Sequence, residues 1–139
     1  MSYDPDNIFA RILRGEAPCV KVYEDDATLA IMDAMPQADG HVLVLPKEAA
    51  VTLLDASDEA ACRCIVTVRK VAAAVQKATG AAGLTVGQFN GAAAGQTVPH
   101  LHFHIVPREP GVALRKHAGQ MADPAVLQAM AERIKAHWA

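Results

Sequence analysis

The chain predicts an α+β fold, an antiparallel sheet with one long helix packed on it. Three observations predict it. Short apolar or alternating stretches recur at 20–23, 28–33, 41–45, 84–90 and 99–107, bounded by Pro, Gly or acidic turns. One amphipathic stretch, Ser57 to about Thr79, is far longer than the rest. The order runs helix, hairpin, strand, long helix, strand, strand, helix, which is an α+β order.

Each element has its own warrant. Ile8, Phe9, Ile12 and Leu13 are spaced as a helix over 7–14, with Asp6 or Asn7 as N-cap and Gly15 as a stop. Val20–Tyr23 and Thr28–Asp33 flank the polar turn Glu24-Asp25-Asp26 and predict a hairpin. Pro36 to Gly40 reads as a loop, and His41–Leu45 as a strand buried on both faces and ended by Pro46. Ala49–Leu54 reads as a short helical turn. Ser57 caps the long helix without a full capping box. Its expected core stripe is Ala61, Ile65, Val68, Ala72 and Val75, with Arg63, Arg69, Lys70 and Lys77 solvated. Leu84–Asn90 is a further strand, and Gly91–Thr97 a small-residue loop able to approach a phosphate closely. Asp123-Pro124 opens a last helix ending at His137-Trp138. Trp138 either packs that helix end or reaches a second copy.

The stretch Pro99–Pro107 carries the chemistry. His100, His102 and His104 alternate with Leu101, Phe103 and Ile105, so a strand puts the imidazoles on one face and the apolar residues in the core. At about 3.3 Å per residue the outer two lie roughly 13 Å apart, with the middle one in reach of both. Pro99 and Pro107 are expected to bracket the strand. Imidazoles in register suit either a metal or nucleophilic and proton-transfer chemistry near neutral pH.

Composition narrows the classes. The chain has 139 residues, 52% hydrophobic and 20% charged, with a net charge of −2. That suits a single globular domain over 1–139. No basic stripe favours nucleic acid, and no apolar run favours a membrane span. The N-terminus lacks a signal-peptide pattern, so the expected location is cytoplasmic. Cys19, Cys62 and Cys64 have neither disulfide nor Cys-x-x-Cys spacing and are expected to be buried or half-buried thiols.

His100 through Val106 resembles, at every position, the signature of the histidine triad (HIT) family: His, apolar, His, apolar, His, apolar, apolar. Ile8-Phe9, Glu24-Asp25-Asp26, Asp33 to Ala38, Gly40 to Lys47, Asn90-Gly91 and Gly95-Gln96-Thr97 are similar to the purine nucleoside phosphoramidate hydrolases of that family. The resemblance covers about 7–108 and leaves the tail, with its helix at about 124–137, as an extension. It implies a HIT-like fold, a homodimer whose sheets join across a two-fold axis, and hydrolysis at the α-phosphate of a purine nucleotide. It implies His102 as nucleophile, forming a nucleotidyl-histidine. His104, one register along, is placed to hydrogen-bond phosphate or leaving-group atoms, and a neighbouring imidazolium suits the protonation of a departing amine. His100 and His41 would orient His102 and complete the network.

The resemblance also implies a nucleotide pocket: Asp33 at the ribose, Ile8, Phe9, Ile12 and Ile31 around the base, and Asn90, Gln96, Thr97 and Val98 near the phosphate. Read as residues alone, Asp33 equally ends a strand and the four apolar side chains equally form core. Thr97 stands where the branch usually has Ser, which keeps a hydroxyl. Some bacterial members bind zinc through a Cys-x-x-Cys, a further His and the first triad His. Here Asn7, Ala10 and Ala49 occupy three of those four positions, so no such zinc and no other cofactor is expected. The alternatives are a dinucleoside polyphosphate hydrolase or nucleotidyltransferase of the same family, a non-catalytic nucleotide-binding adaptor, and a metal site on His100, His102 and His104.

Overall fold

A computed structural model describes residues 2–138; Met1 and Ala139, the outer ends of the expected domain, lie outside the described residues. The elements are α1 (Ile8–Leu13), β1 (Lys21–Glu24), β2 (Thr28–Met32), β3 (Val42–Pro46), α2 (Asp58–Thr79), β4 (Gly83–Gln88), β5 (Phe103–Arg108) and α3 (Pro124–Ala136). The strands form one sheet in the order β1-β2-β3-β5-β4. Every neighbouring pair is antiparallel. The α+β expectation holds.

Local chemistry sets the helix ends. Asn7 caps α1 by accepting from Ala10 N, Ser57 caps α2 by accepting from Ala60 N, and Asp123 caps α3 ahead of Pro124. Gly80 stops α2 in the left-handed conformation. The expected turn at 49–54 is a short 3-10 turn, Leu53–Asp55, closed by a Thr52/Asp55 capping box.

The sheet is covered on both faces. On one face Ala30, Met32, Val42, Val44, Leu101, Phe103 and Ile105 pack against α2 and α3. On the other Leu29, Ile31, Leu43 and Leu45 pack with Phe9 of α1. Complete burial of a Leu or Ile contributes about 2 kcal/mol, so β2 and β3, buried at every residue, form the core of the structure. Trp138 stacks on Tyr23 of its own chain at a centroid distance of 4.6 Å, which fixes the end of α3 against β1.

Three expectations are corrected. The strand begins at Phe103, so His100 and His102 lie on the irregular run before it, and Pro107 sits inside β5 opposite Leu84. The proline is tolerated because β3 pairs only with Phe103–Ile105 and requires no donor from residue 107. The α2 stripe is rotated: Cys64, Thr67, Val68, Val71, Ala74 and Val75 are buried, whereas Ile65 is 52% exposed. Thr67 wins its inward place through a 2.8 Å hydroxyl bond to buried Thr28. Cys62 is exposed, while Cys64 is buried and Cys19 half-buried. None of the helices among the described residues is long and apolar enough to cross a membrane.

Gly40 shows how tightly the loop before β3 is held. Its φ is +92°, and a Cβ there would stand 2.8 Å from Thr79 Cγ2 and 3.2 Å from Pro107 Cγ. Gly15, with φ +77°, has nothing within 4 Å of such a Cβ. Gly40→Ala is therefore expected to cost about 2 kcal/mol or more in urea unfolding, against about 1 kcal/mol for Gly15→Ala. Equal losses would show that the close contacts at Gly40 carry no weight.

Candidate active site

The histidines collect on the α1 face of the sheet. His104 is held in β5 between Leu43 of β3 and Gly87 of β4. His102 and His104 have ring centroids 5.0 Å apart, and Phe9 of α1 meets the His102 ring edge-on at 4.9 Å. His41, one residue before β3, reaches His104 with its Nε2 2.9 Å from His104 Nδ1. His100 lies beside Phe9 and Tyr3. All four are buried.

Fixed partners assign every proton in this network. The Gln37 backbone N–H donates to His41 Nδ1 at 3.0 Å, so the His41 proton is on Nε2. His41 Nε2–H donates to His104 Nδ1, so the His104 proton is on Nε2. At the other end His100 Nε2–H donates to the Pro46 carbonyl at 2.8 Å, and His100 Nδ1 accepts from the Tyr3 hydroxyl at 2.5 Å. The His100 carbonyl accepts from His102 Nδ1–H at 2.7 Å, which leaves the lone pair on His102 Nε2. Burial alone leaves His104 Nε2–H without a partner. The site thus holds a free lone pair on His102 Nε2 and an unpartnered donor on His104 Nε2, on rings whose centroids are 5.0 Å apart.

Burial keeps these rings neutral. It pushes His41 down to about 4 and His104 to about 3, and lowers His100 and His102 despite their helpful carbonyl partners. Burial thus disfavours an imidazolium at His104. A proton on its Nδ1 would oppose His41 Nε2–H, which cannot invert while Gln37 N–H occupies Nδ1. His104 is a neutral donor.

The remaining predicted residues divide. Phe9 and Ile31 are buried, Ile12 and Val98 pack against them, and Ile8 is 43% exposed at the rim. Asp33 Oδ1 accepts from Met35 N, and Oδ2 lies 3.4 Å from His41 Nε2; burial raises its carboxyl pKa. Asn90 and Thr97 are exposed. Asn90 Oδ1 accepts from Leu53 N, tying the glycine-rich loop to the 3-10 turn. The Gln96 side chain is consumed by the main chain: it accepts from Gly91 N and donates to the Val51 and Val98 carbonyls. Gln96 braces the loop.

Asp33, His41 and His104 each place one ligand atom within 4.8 Å of the others. The His41–His104 pair already shares a proton, so this arrangement is a hydrogen-bonded one, and His100 and His102 are not part of it. Four residues went unread in the sequence: Tyr3, Gln37, Phe89 and His117. Phe89 lies 5.2 Å from His104 by ring centroid, and 3.5 Å from where a Gly87 Cβ would stand. His117 comes from the tail, 5.7 Å from His104. Its one sequence signal is the scarcity of histidine, six in all.

The HIT domain family model matches residues 14–111. With a five-stranded antiparallel sheet and a histidine network built from its His-x-His-x-His run, the chain belongs to the histidine triad family. It is 43% identical over 101 residues to the adenosine 5′-monophosphoramidase hnt1 of Schizosaccharomyces pombe, covering 73% of each protein. It is 41% identical over 104 residues to the adenylylsulfatase HINT3 of Arabidopsis thaliana, 75% of this chain but only 53%, about half, of that relative's length. A crystal structure of a Hit-like protein involved in cell-cycle regulation from Bartonella henselae, with an unknown ligand, aligns at a TM-score of 0.95 and 49% identity over 99% of both chains.

The neutral network makes stability depend on pH with a definite sign. Histidines depressed in the folded state keep their contribution above about pH 6.5 and lose it as pH falls toward 4 and then 3, because the unfolded chain binds the protons. Urea unfolding is expected to show stability dropping by about 2 kcal/mol or more between pH 6.5 and 4. His41→Gln should flatten that slope. A level wild-type profile would place charged histidines in the fold.

Proposed function

We propose that this chain is a nucleotide hydrolase acting at the α-phosphate of purine nucleoside 5′-phosphoramidates, adenosine preferred, through a covalent nucleotidyl-histidine. The observation that carries the reading is the His102 ring. Its Nδ1–H is committed to the His100 carbonyl, which leaves its Nε2 lone pair free, and its ring centroid is 5.0 Å from that of His104, whose Nε2–H has no partner. A neutral imidazole is both nucleophile and leaving group, so one hard displacement becomes two easier ones. The phosphoramidase and adenylylsulfatase relatives support a nucleotidyl substrate.

His102 Nε2 attacks phosphorus, the P–N bond of the substrate breaks, and the amine leaves with a proton from solvent. His104 Nε2–H donates to a phosphoryl oxygen and stabilises the charge that builds there. Water then attacks phosphorus, the P–Nε2 bond breaks, and the nucleotide and neutral His102 are released with one proton given to solvent. His100 and His41 fix the two tautomers. Asp33 takes the ribose hydroxyls; Ile8, Phe9, Ile12 and Ile31 hold the base. Asn90, Gln96, Thr97 and Val98 frame the phosphate loop, Gln96 by bracing it.

The same reading takes the active unit to be one domain spanning 1–139 in the cytoplasm, assembled as a homodimer. The assembly draws support from β4, an edge strand with Val86 47% exposed, and from Ile65, 52% exposed on α2. Sedimentation should give the mass of two chains; a monomer at micromolar concentration removes the dimer.

Hydrolysis of a fluorogenic adenosine phosphoramidate is the direct test, with diadenosine polyphosphates run alongside. Wild type should turn over the phosphoramidate faster. His102→Ala should lose roughly 10³-fold or more in kcat while still binding AMP. A wild type that binds AMP and hydrolyses neither substrate would make the chain a nucleotide-binding adaptor.

A further inference from the structure

Beyond the residues matched by the family model, the chain crosses back over the site. A strap at 113–122 is tied at both ends to the loop that precedes β3. Arg115 N donates to the Gln37 carbonyl at 2.8 Å, and Arg115 Nη2 pairs with Asp39 Oδ1 at 2.7 Å. At the far end Ala122 N donates to the Ala34 carbonyl at 2.9 Å. Between these anchors lies a turn at 116–119. Gly119 is so close that a Cβ there would stand 3.0 Å from the Lys116 carbonyl oxygen. Ala118 takes φ +51°, the single positive φ at a non-glycine among the described residues. An alanine held left-handed is strained and persists only where its surroundings dictate it.

The residue this turn delivers is His117. Its half-buried ring faces His104 at a centroid distance of 5.7 Å and meets Phe89 edge-on at 6.4 Å. The four buried histidines have their tautomers fixed by neighbours. His117 makes no hydrogen bond to another described residue, so both of its nitrogens are open to a ligand.

We propose that His117 is a fifth histidine of the site, donating a ring N–H to the phosphoryl oxygens of the bound nucleotide beside the His104 donor, and so favouring phosphorylated over unphosphorylated nucleosides. The proposal rests on the nucleotide reading above. It gives the tail a role in recognition that lies outside the His-x-His-x-His run.

Calorimetric titration with AMP and with adenosine tests it in the full chain, each variant checked by thermal unfolding. His117→Phe keeps an aromatic ring against Phe89 and His104 but has no donor; His117→Gln keeps a donor without the ring. The expected result is about a tenfold loss of AMP affinity in His117→Phe, with adenosine binding unchanged and His117→Gln recovering most of the loss. AMP affinity that survives His117→Phe, or losses equal for AMP and adenosine, would overturn the phosphoryl contact while leaving the nucleotide reading intact. A wild type that binds neither ligand overturns both.

Discussion

The chemistry of this site depends on one hydrogen bond, from the Gln37 backbone to His41 Nδ1. A side-chain donor can rotate or change tautomer, but a peptide N–H in a held loop does neither. His41 therefore has one tautomer, His104 has one tautomer, and the donor that faces the pocket is determined from outside it. The Pro46 and His100 carbonyls do the same from the opposite end, so the free lone pair of His102 Nε2 is also set by main-chain atoms. Four imidazoles that could titrate freely are converted into fixed donors and acceptors.

Burial explains why the arrangement is affordable. Buried charged rings would carry a heavy desolvation cost, whereas buried neutral rings with assigned partners carry little. The single unsatisfied buried side-chain atom of the network is His104 Nε2, which leaves one donor free for a ligand. The sheet makes this possible by having two different faces. Leu101, Phe103 and Ile105 spend their side of the run on the core against α2, freeing the other side for His102 and His104 beside Phe9. Phe9 thus belongs both to an apolar cluster and to the wall of the site, and the choice between core and pocket that its sequence context left open has no single answer.

Much of this was legible in the residues. Alternation assigned the histidines and their apolar neighbours to opposite faces, and did so correctly even where the strand had not yet begun. Capping residues placed all three helix starts. What escaped was of two kinds. The α2 stripe was misjudged because hydropathy ranks Ile65 above Thr67, while the Thr28 hydroxyl across the interface reverses that order. Tyr3, Phe89 and His117 escaped because nothing local marks them: each reaches the site from a different part of the chain, through contacts between segments distant in sequence. The tautomer of His104 was illegible for a related reason, since it is set through His41 by Gln37 N–H, a backbone donor that every non-proline residue possesses.

The loop at 33–40 has a consequence for how such a chain can change over time. It carries Asp33, supplies the donor that orders His41, and anchors both ends of the tail strap through Ala34, Gln37 and Asp39. The tail therefore cannot behave as a removable appendage, exchanged by recombination at a boundary near residue 111 where the family match ends. Any substitute segment must present a compatible edge to the same loop or disturb the histidines behind it. The part matched by the family model and the tail beyond it are joined at this one loop, so a change that shifts the strap is passed to the backbone that orders His41.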